Sequence, residues 1–118
     1  MHEMSVAQAL VRQVRELLPQ PLPIRRIALR IGPLSGVVPA LLIEAFPLAA
    51  AGTPAEHAVL DIEQAPVRVR CETCGAESEA AANKLVCGVC GDWHTQLISG
   101  DELLLVDVTY EANHAHIG

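Results

Sequence analysis

Four cysteines carry the most defined chemistry in the chain. They fall in the pattern Cys71-x2-Cys74-x12-Cys87-x2-Cys90. A two-residue gap lets both sulfurs of a pair reach one ion from a single tight turn. Gly75 and Gly91 follow the two pairs, and glycine takes positive φ without a Cβ clash, which turns amide N–H groups toward the sulfurs. Two such knuckles facing each other complete a tetrahedral S4 shell. That shell suits Zn²⁺ and is closed, so the site is expected to be structural and to offer no open position for catalysis. Iron is the main alternative metal, because S4 geometry alone does not separate the two. The competing reading is a pair of disulfides, and the spacing fits a metal site better.

The second chemical feature is the start, Met1-His2-Glu3. The α-amine, the amide nitrogen of His2 and its imidazole Nδ1 can bind one metal in a five-membered and a six-membered chelate ring. Deprotonated amide donors suit a square-planar ion, which favours Ni²⁺ or Cu²⁺ over Zn²⁺. Glu3 is placed to add a donor or to orient the ring. The bland alternative is an exposed histidine near a frayed end. His57, His94, His114 and His116 are less specific. Of these, His94 stands just beyond the second knuckle as a candidate contact of the zinc module, and His114-x-His116 is a candidate exposed chelate in a tail expected to be solvated.

Elements must hold these groups. Ala7, Leu10, Val11, Val14, Leu17 and Leu18 recur at helical spacing, which predicts an amphipathic helix over 4–18 preceded by His2. Ser5 and Gln8 form a candidate capping box, with a helix start one turn earlier as the alternative, and Pro19, Pro21 and Pro23 end the helix. Alternation predicts a strand over 24–31, with Ile27, Leu29 and Ile31 on one face. A second helix follows with Pro39 in its first turn and Gly52 as its stop, and Pro47 is expected to kink or split it. Strands are expected over 59–63 and 103–110, the latter with Leu104, Val106, Val108 and Tyr110 on one face, and a short one over 96–98. The order predicts an α+β fold: two helices on a three-stranded sheet, with an inserted zinc-ribbon-like module of two Cys-x-x-Cys knuckles. The expected division is an α+β domain at 1–66 and 99–118 and a zinc module at 67–98.

With 118 residues, the chain has room for one modest core plus a metal-held insert. Aromatic content of 3% makes that core aliphatic, and the formal charge of −6 lacks the basic footprint of nucleic-acid binding. No apolar run is long enough to span a bilayer, and the start lacks a signal-peptide series, so a cytoplasmic protein is expected. No nucleophile–base motif is present, and an enzyme is not expected. On these residues alone the readings left open are a protein with an amino-terminal Ni²⁺ or Cu²⁺ site, a zinc-ribbon module for a protein or nucleic acid, and a rubredoxin-like electron carrier.

Taken together, Met1-His2-Glu3-Met4-Ser5, the paired knuckles, Ser99-Gly100-Asp101-Glu102-Leu103 and the connection Gly32 to Pro39 resemble the HypA/HybF family of nickel metallochaperones for [NiFe]-hydrogenase maturation. The likeness covers nearly the whole chain. It implies that His2 is the essential nickel ligand, helped by the Met1 amine and by main-chain nitrogen of His2 and Glu3, so that Ni(II) is a transferable cargo. It implies structural Zn(II) on Cys71, Cys74, Cys87 and Cys90. It implies two partners, the maturation GTPase of the same pathway and the hydrogenase large-subunit precursor, and a monomer or homodimer; charge and hydropathy predict no nucleic-acid or membrane partner. Ala40 stands where many members carry an acidic residue.

Overall fold

A computed structural model describes residues 2–18 and 22–111. The elements run α1 (His2–Leu17), β1 (Ile24–Ile31), α2 (Pro39–Ala50), β2 (Val59–Gln64), β3 (Arg68–Cys71), β4 (Glu77–Glu79), β5 (Thr95–Ser99) and β6 (Leu103–Tyr110). They form two three-stranded sheets, ordered β2-β1-β6 and β4-β3-β5. The expected α+β class holds: two helices, a three-stranded sheet, and a four-cysteine module between that sheet's second and third strands in the chain. No described helix is long and apolar enough to cross a membrane.

The chain divides into two compact units: Met1–Leu29, Val37–Ile62 and Leu105–Gly118 make the first, and Arg30–Gly36 with Glu63–Leu104 the second. In the first, α1 packs on α2. The helical stripe Ala7, Leu10, Val11 and Val14 is buried, as are Ile24, Ile27 and Leu29 of β1 and Leu42, Phe46 and Ala50 of α2. Phe46, the single phenylalanine, is 2% exposed and is the largest of the fully buried side chains.

Three local expectations are corrected. Helix α1 begins at His2 rather than Met4, so His2 is its first residue and does not precede it. Ser5 therefore lies inside the helix and does not cap it. Pro47 does not split α2 into two elements; the helix continues to Ala50. Proline costs a helix the bond to the carbonyl four residues back, here that of Ile43, and both Ile43 and Pro47 are exposed, where water can take the orphaned carbonyl. On β6, the apolar alternation does not make a buried face. Leu104, Val106 and Tyr110 are 41–54% exposed, as suits a strand at the end of the β2-β1-β6 order.

The second unit is built on β3. It pairs antiparallel with β4, setting Arg70 opposite Glu77, and with β5, setting Cys71 opposite Thr95. Arg70 Nη2 donates to Glu77 Oε2 at 2.6 Å, an opposite-charge pair across neighbouring strands. Val67, Val69, Cys71 and Cys87 are buried, as are Ile31 and Ala65. The Gly32 and Gly100 connections meet backbone to backbone: the Gly32 amide donates to the Glu102 carbonyl at 2.9 Å and the Leu34 amide to the Gly100 carbonyl at 2.7 Å. A Cβ on Gly32 would lie 2.1 Å from that Gly100 oxygen, so no other residue fits without moving the chain.

Candidate metal centres

Each cysteine pair closes a turn in the same way. The Cys71 sulfur accepts the Thr73 amide at 3.3 Å and the Cys74 amide at 3.4 Å. The Cys87 sulfur accepts the Val89 and Cys90 amides, both at 3.3 Å. Gly75 and Gly91 follow at φ 78° and 80°, as their positions in the sequence predict. Cys71 and Cys87 are buried, while Cys74 and Cys90 are exposed.

The four sulfurs lie within 4.8 Å of one another. Across the knuckles, Cys71 Sγ is 3.6 Å from Cys90 Sγ and Cys74 Sγ is 3.6 Å from Cys87 Sγ. A disulfide needs about 2.05 Å, and the four cysteines are free thiols. A tetrahedral S4 shell with metal–sulfur bonds of about 2.3 Å has edges near 3.8 Å, so the spacing fits one central ion. Among the described residues, this metal-competent cluster contains no histidine or carboxylate.

The donor set also favours a cation electrostatically. The Cys90 and Val89 amides pull the Cys87 thiol down to about 6, and the Cys74 and Thr73 amides lower Cys71 against its burial. The other two move the opposite way. The Asp92 amide lowers Cys90, but the neighbouring Cys71 sulfur, burial and the remaining thiols outweigh it and push Cys90 up to about 12. For Cys74 the Ala76 amide lowers, and the Cys87 sulfur with burial raises more. Four adjacent sulfurs cannot all carry charge without a compensating ion; a bound dication removes that conflict.

At the amino end, His2 is exposed and Glu3 is 6% exposed. His2 Nε2 stands 3.1 Å from Glu3 Oε2, and the same oxygen accepts the Val38 amide at 3.3 Å. Burial pushes the Glu3 carboxyl up, but the Val38 amide, its own amide and His2 together hold it below the usual carboxylate range. With the proton on Nε2 toward the carboxylate, the acceptor lone pair lies on Nδ1, the nitrogen a terminal chelate needs. An open cavity of about 270 Å³ adjoins Glu3, lined by Met4, Leu41, Glu44, Ala45 and Leu48. Met1 lies outside the described residues, as do His114 and His116. His57 is exposed and belongs to neither cluster.

His94, a candidate contact of the cysteine module, does meet it, its carbonyl accepting the Glu72 amide at 2.8 Å, whereas sequence reasoning missed Thr73, Ser78 and Asp92. Asp92 accepts from the Thr73 hydroxyl through Oδ2, and from the His94 amide and ring nitrogen through Oδ1 at 3.1 and 2.7 Å. Thr73 first and His94 next hold its carboxyl well below the usual range. The Ser78 hydroxyl accepts the Gly88 amide at 2.9 Å. Nothing in the cysteine spacing announces these contacts, although an aspartate two residues beyond a knuckle was a visible signal.

Comparison with known proteins agrees with this arrangement. Residues 1–110 match the family model described as hydrogenase/urease nickel incorporation, metallochaperone, hypA. A hydrogenase maturation factor HypA of Nitrosospira multiformis is 47% identical over 110 residues, covering 92% of this chain and 96% of the relative. The HypA of Aquifex aeolicus is 35% identical, covering 96% of this chain and all of the relative. Among solved structures, the Ni metallochaperone HypA from Helicobacter pylori is 25% identical with a TM-score of 0.66, covering 92% of this chain and 96% of its own. A second HypA solution structure is 26% identical with a TM-score of 0.71, covering 96% and 98%.

Proposed function

The chain belongs to the HypA family of nickel-incorporation metallochaperones that serve hydrogenase maturation, and on that premise we propose that it binds Ni(II) at its amino terminus and delivers it to a [NiFe]-hydrogenase large-subunit precursor. His2 Nδ1, the Met1 amine and the main-chain nitrogens of His2 and Glu3 are the nickel donors. Cys71, Cys74, Cys87 and Cys90 hold Zn(II), which keeps the segment 67–98 folded as a zinc module beside a nickel-binding domain of 1–66 and 99–118. The partners are the maturation GTPase of the pathway and the hydrogenase precursor.

The observation that carries this reading is the buried Glu3 carboxylate between His2 Nε2 and the Val38 amide. Such a carboxylate fixes the ring tautomer for a metal on the other nitrogen. First-turn amides stand outside a helix's own hydrogen-bond ladder, so the backbone at His2 and Glu3 lies where a square-planar ion can compete for nitrogen. Exposure of His2 keeps the cargo reachable by an acceptor protein. The sulfur site has the opposite character, with four donors closed on themselves and no vacancy for transfer.

The test uses untagged protein, because a fusion before Met1 removes the terminal amine. His2→Ala is expected to abolish specific nickel binding and hydrogenase maturation at limiting nickel. Zinc content and melting temperature should stay unchanged, since an exposed side chain carries little stability. Full nickel stoichiometry in His2→Ala overturns the site, and normal hydrogenase activity in cells carrying it overturns the delivery role.

A further inference from the structure

The two knuckles share one hydrogen-bond pattern residue for residue. In each, the first cysteine's carbonyl accepts the glycine amide four residues on, at 3.0 Å for both Gly75 and Gly91. Its own amide donates to the carbonyl five residues on, that of Ala76 at 2.9 Å and that of Asp92 at 2.8 Å. Thr73 therefore corresponds to Val89, and Ala76 to Asp92. The side chains break the correspondence. The Thr73 hydroxyl donates to Asp92 Oδ2, joining the turn of the first knuckle to the residue that closes the second. Val89 and Ala76, at the reciprocal positions, have no polar side chain to make a matching bond.

Asp92 is itself held from the other side. Its Oδ1 accepts the His94 amide and ring nitrogen, the His94 ring stacks on Trp93 with centroids 3.8 Å apart, and the His94 carbonyl accepts the Glu72 amide at 2.8 Å. The half-buried carboxylate is thus a fixed post. Among the described residues, Thr73–Asp92 is the side-chain to side-chain bond that joins the two turns, and the Ser78 hydroxyl adds a tie from β4 to the Gly88 amide. We infer that Asp92 is a positioning residue of the four-cysteine site: through Thr73 it sets the separation of the two knuckles and so governs how fast the metal leaves. Release requires one knuckle to swing from the other, and the Thr73–Asp92 bond must break for that motion.

This rests on reading the four cysteines as a metal site, and the experiment separates the two. Full-length zinc-loaded protein is mixed with excess chromophoric chelator and the rate of zinc transfer is recorded. Thr73→Val is isosteric at an exposed position and keeps the fold. It is expected to release zinc about tenfold faster, the weight of one hydrogen bond to a charged group. Asp92→Ala should match it, the double variant should be no faster than either single, and Thr73→Ser should restore the wild-type rate. In Co²⁺-substituted protein the ligand-field bands should shift for Thr73→Val and not for Thr73→Ser. Equal rates and unaltered Co²⁺ spectra in Thr73→Val overturn the inference while leaving the metal site standing. A wild-type protein that retains no zinc and takes up no Co²⁺ overturns both.

Discussion

The cysteine module and the amino-terminal site use the chain in opposite ways. The sulfurs come from two turns separated by twelve residues, each closed by matched backbone bonds and tied to a three-stranded sheet through Cys71 and Thr95. His2 and Glu3 are sequence neighbours at the start of one helix, and a single carboxylate links them to the Val38 amide. A donor set gathered from distant residues makes the local fold depend on the ion. A donor set contiguous in sequence adds nothing to folding, and it can load and unload without moving the core. On the proposed reading, the first arrangement suits a metal that stays and the second a metal that is passed on.

Damage to either region's support should stay confined to that region. Cys74→Ser should release the module's metal and unfold residues around β3, β4 and β5, because metal binding and folding are coupled in small modules. The α1–α2 unit, with its own buried side chains from Ala7 to Val14 and from Leu42 to Ala50, should persist; far-UV circular dichroism with metal analysis checks both. The reverse change is Phe46→Ala. Removing the largest buried side chain of α2 should cost about 3–5 kcal/mol, seen as a lowered urea midpoint, while the metal content of the folded protein stays whole. Loss of zinc from Phe46→Ala protein that is still folded would sink the independence of the two supports.

Acid should separate the sites next. Protons compete directly for imidazole and amine nitrogen, so nickel should leave first as pH falls. The module offers a closed shell of four sulfurs to one ion, with amide donors aimed at Cys71 and Cys87, and should retain the metal longer. Nickel and zinc released together at one mildly acidic pH would show that the sites are not distinct.

How much of this could be read from the chain differs between the regions for the same reason. The Cys-x2-Cys spacing is a local rule, so the metal cluster was legible, and so were β1 and the buried stripe of α1, whose periods are strong. Strands β3 and β4 were not. Arg68, Arg70, Glu77 and Glu79 alternate with few apolar residues, and their strands are four and three residues long, so pairing around the knuckles, not hydrophobic period, defines them. The start of α1 was misplaced because His2 and Glu3 are polar and add nothing to the apolar stripe. Burial of Glu3 depends on Val38, 35 residues away, and no local pattern announces such a partner. Asp92 escaped for the same reason, since its hydroxyl donor sits in the other knuckle.

The smallest expected effect is also the most specific to the amino-terminal site. Glu3→Gln keeps the side chain's shape and one oxygen to accept the Val38 amide, so the helix and its packing should be little changed. It removes the charge beside His2 and with it the preference for a proton on Nε2. Loss of a partner that orients a ligand typically costs 10–100-fold in metal affinity; with one hydrogen bond preserved, about tenfold weaker nickel binding is expected by competition titration. The pH dependence gives an independent reading. The fold holds the Glu3 carboxyl below its usual value, so its contribution to stability is complete above about pH 4.3, the ordinary range of a free glutamate, and is lost as pH falls through the lowered folded value. Glu3→Gln carries no titrating carboxyl, so its melting temperature should fall less steeply than that of the wild type across that acid window. An unchanged acid slope with unchanged nickel affinity would reduce Glu3 to a helix-end contact and leave His2 to act alone.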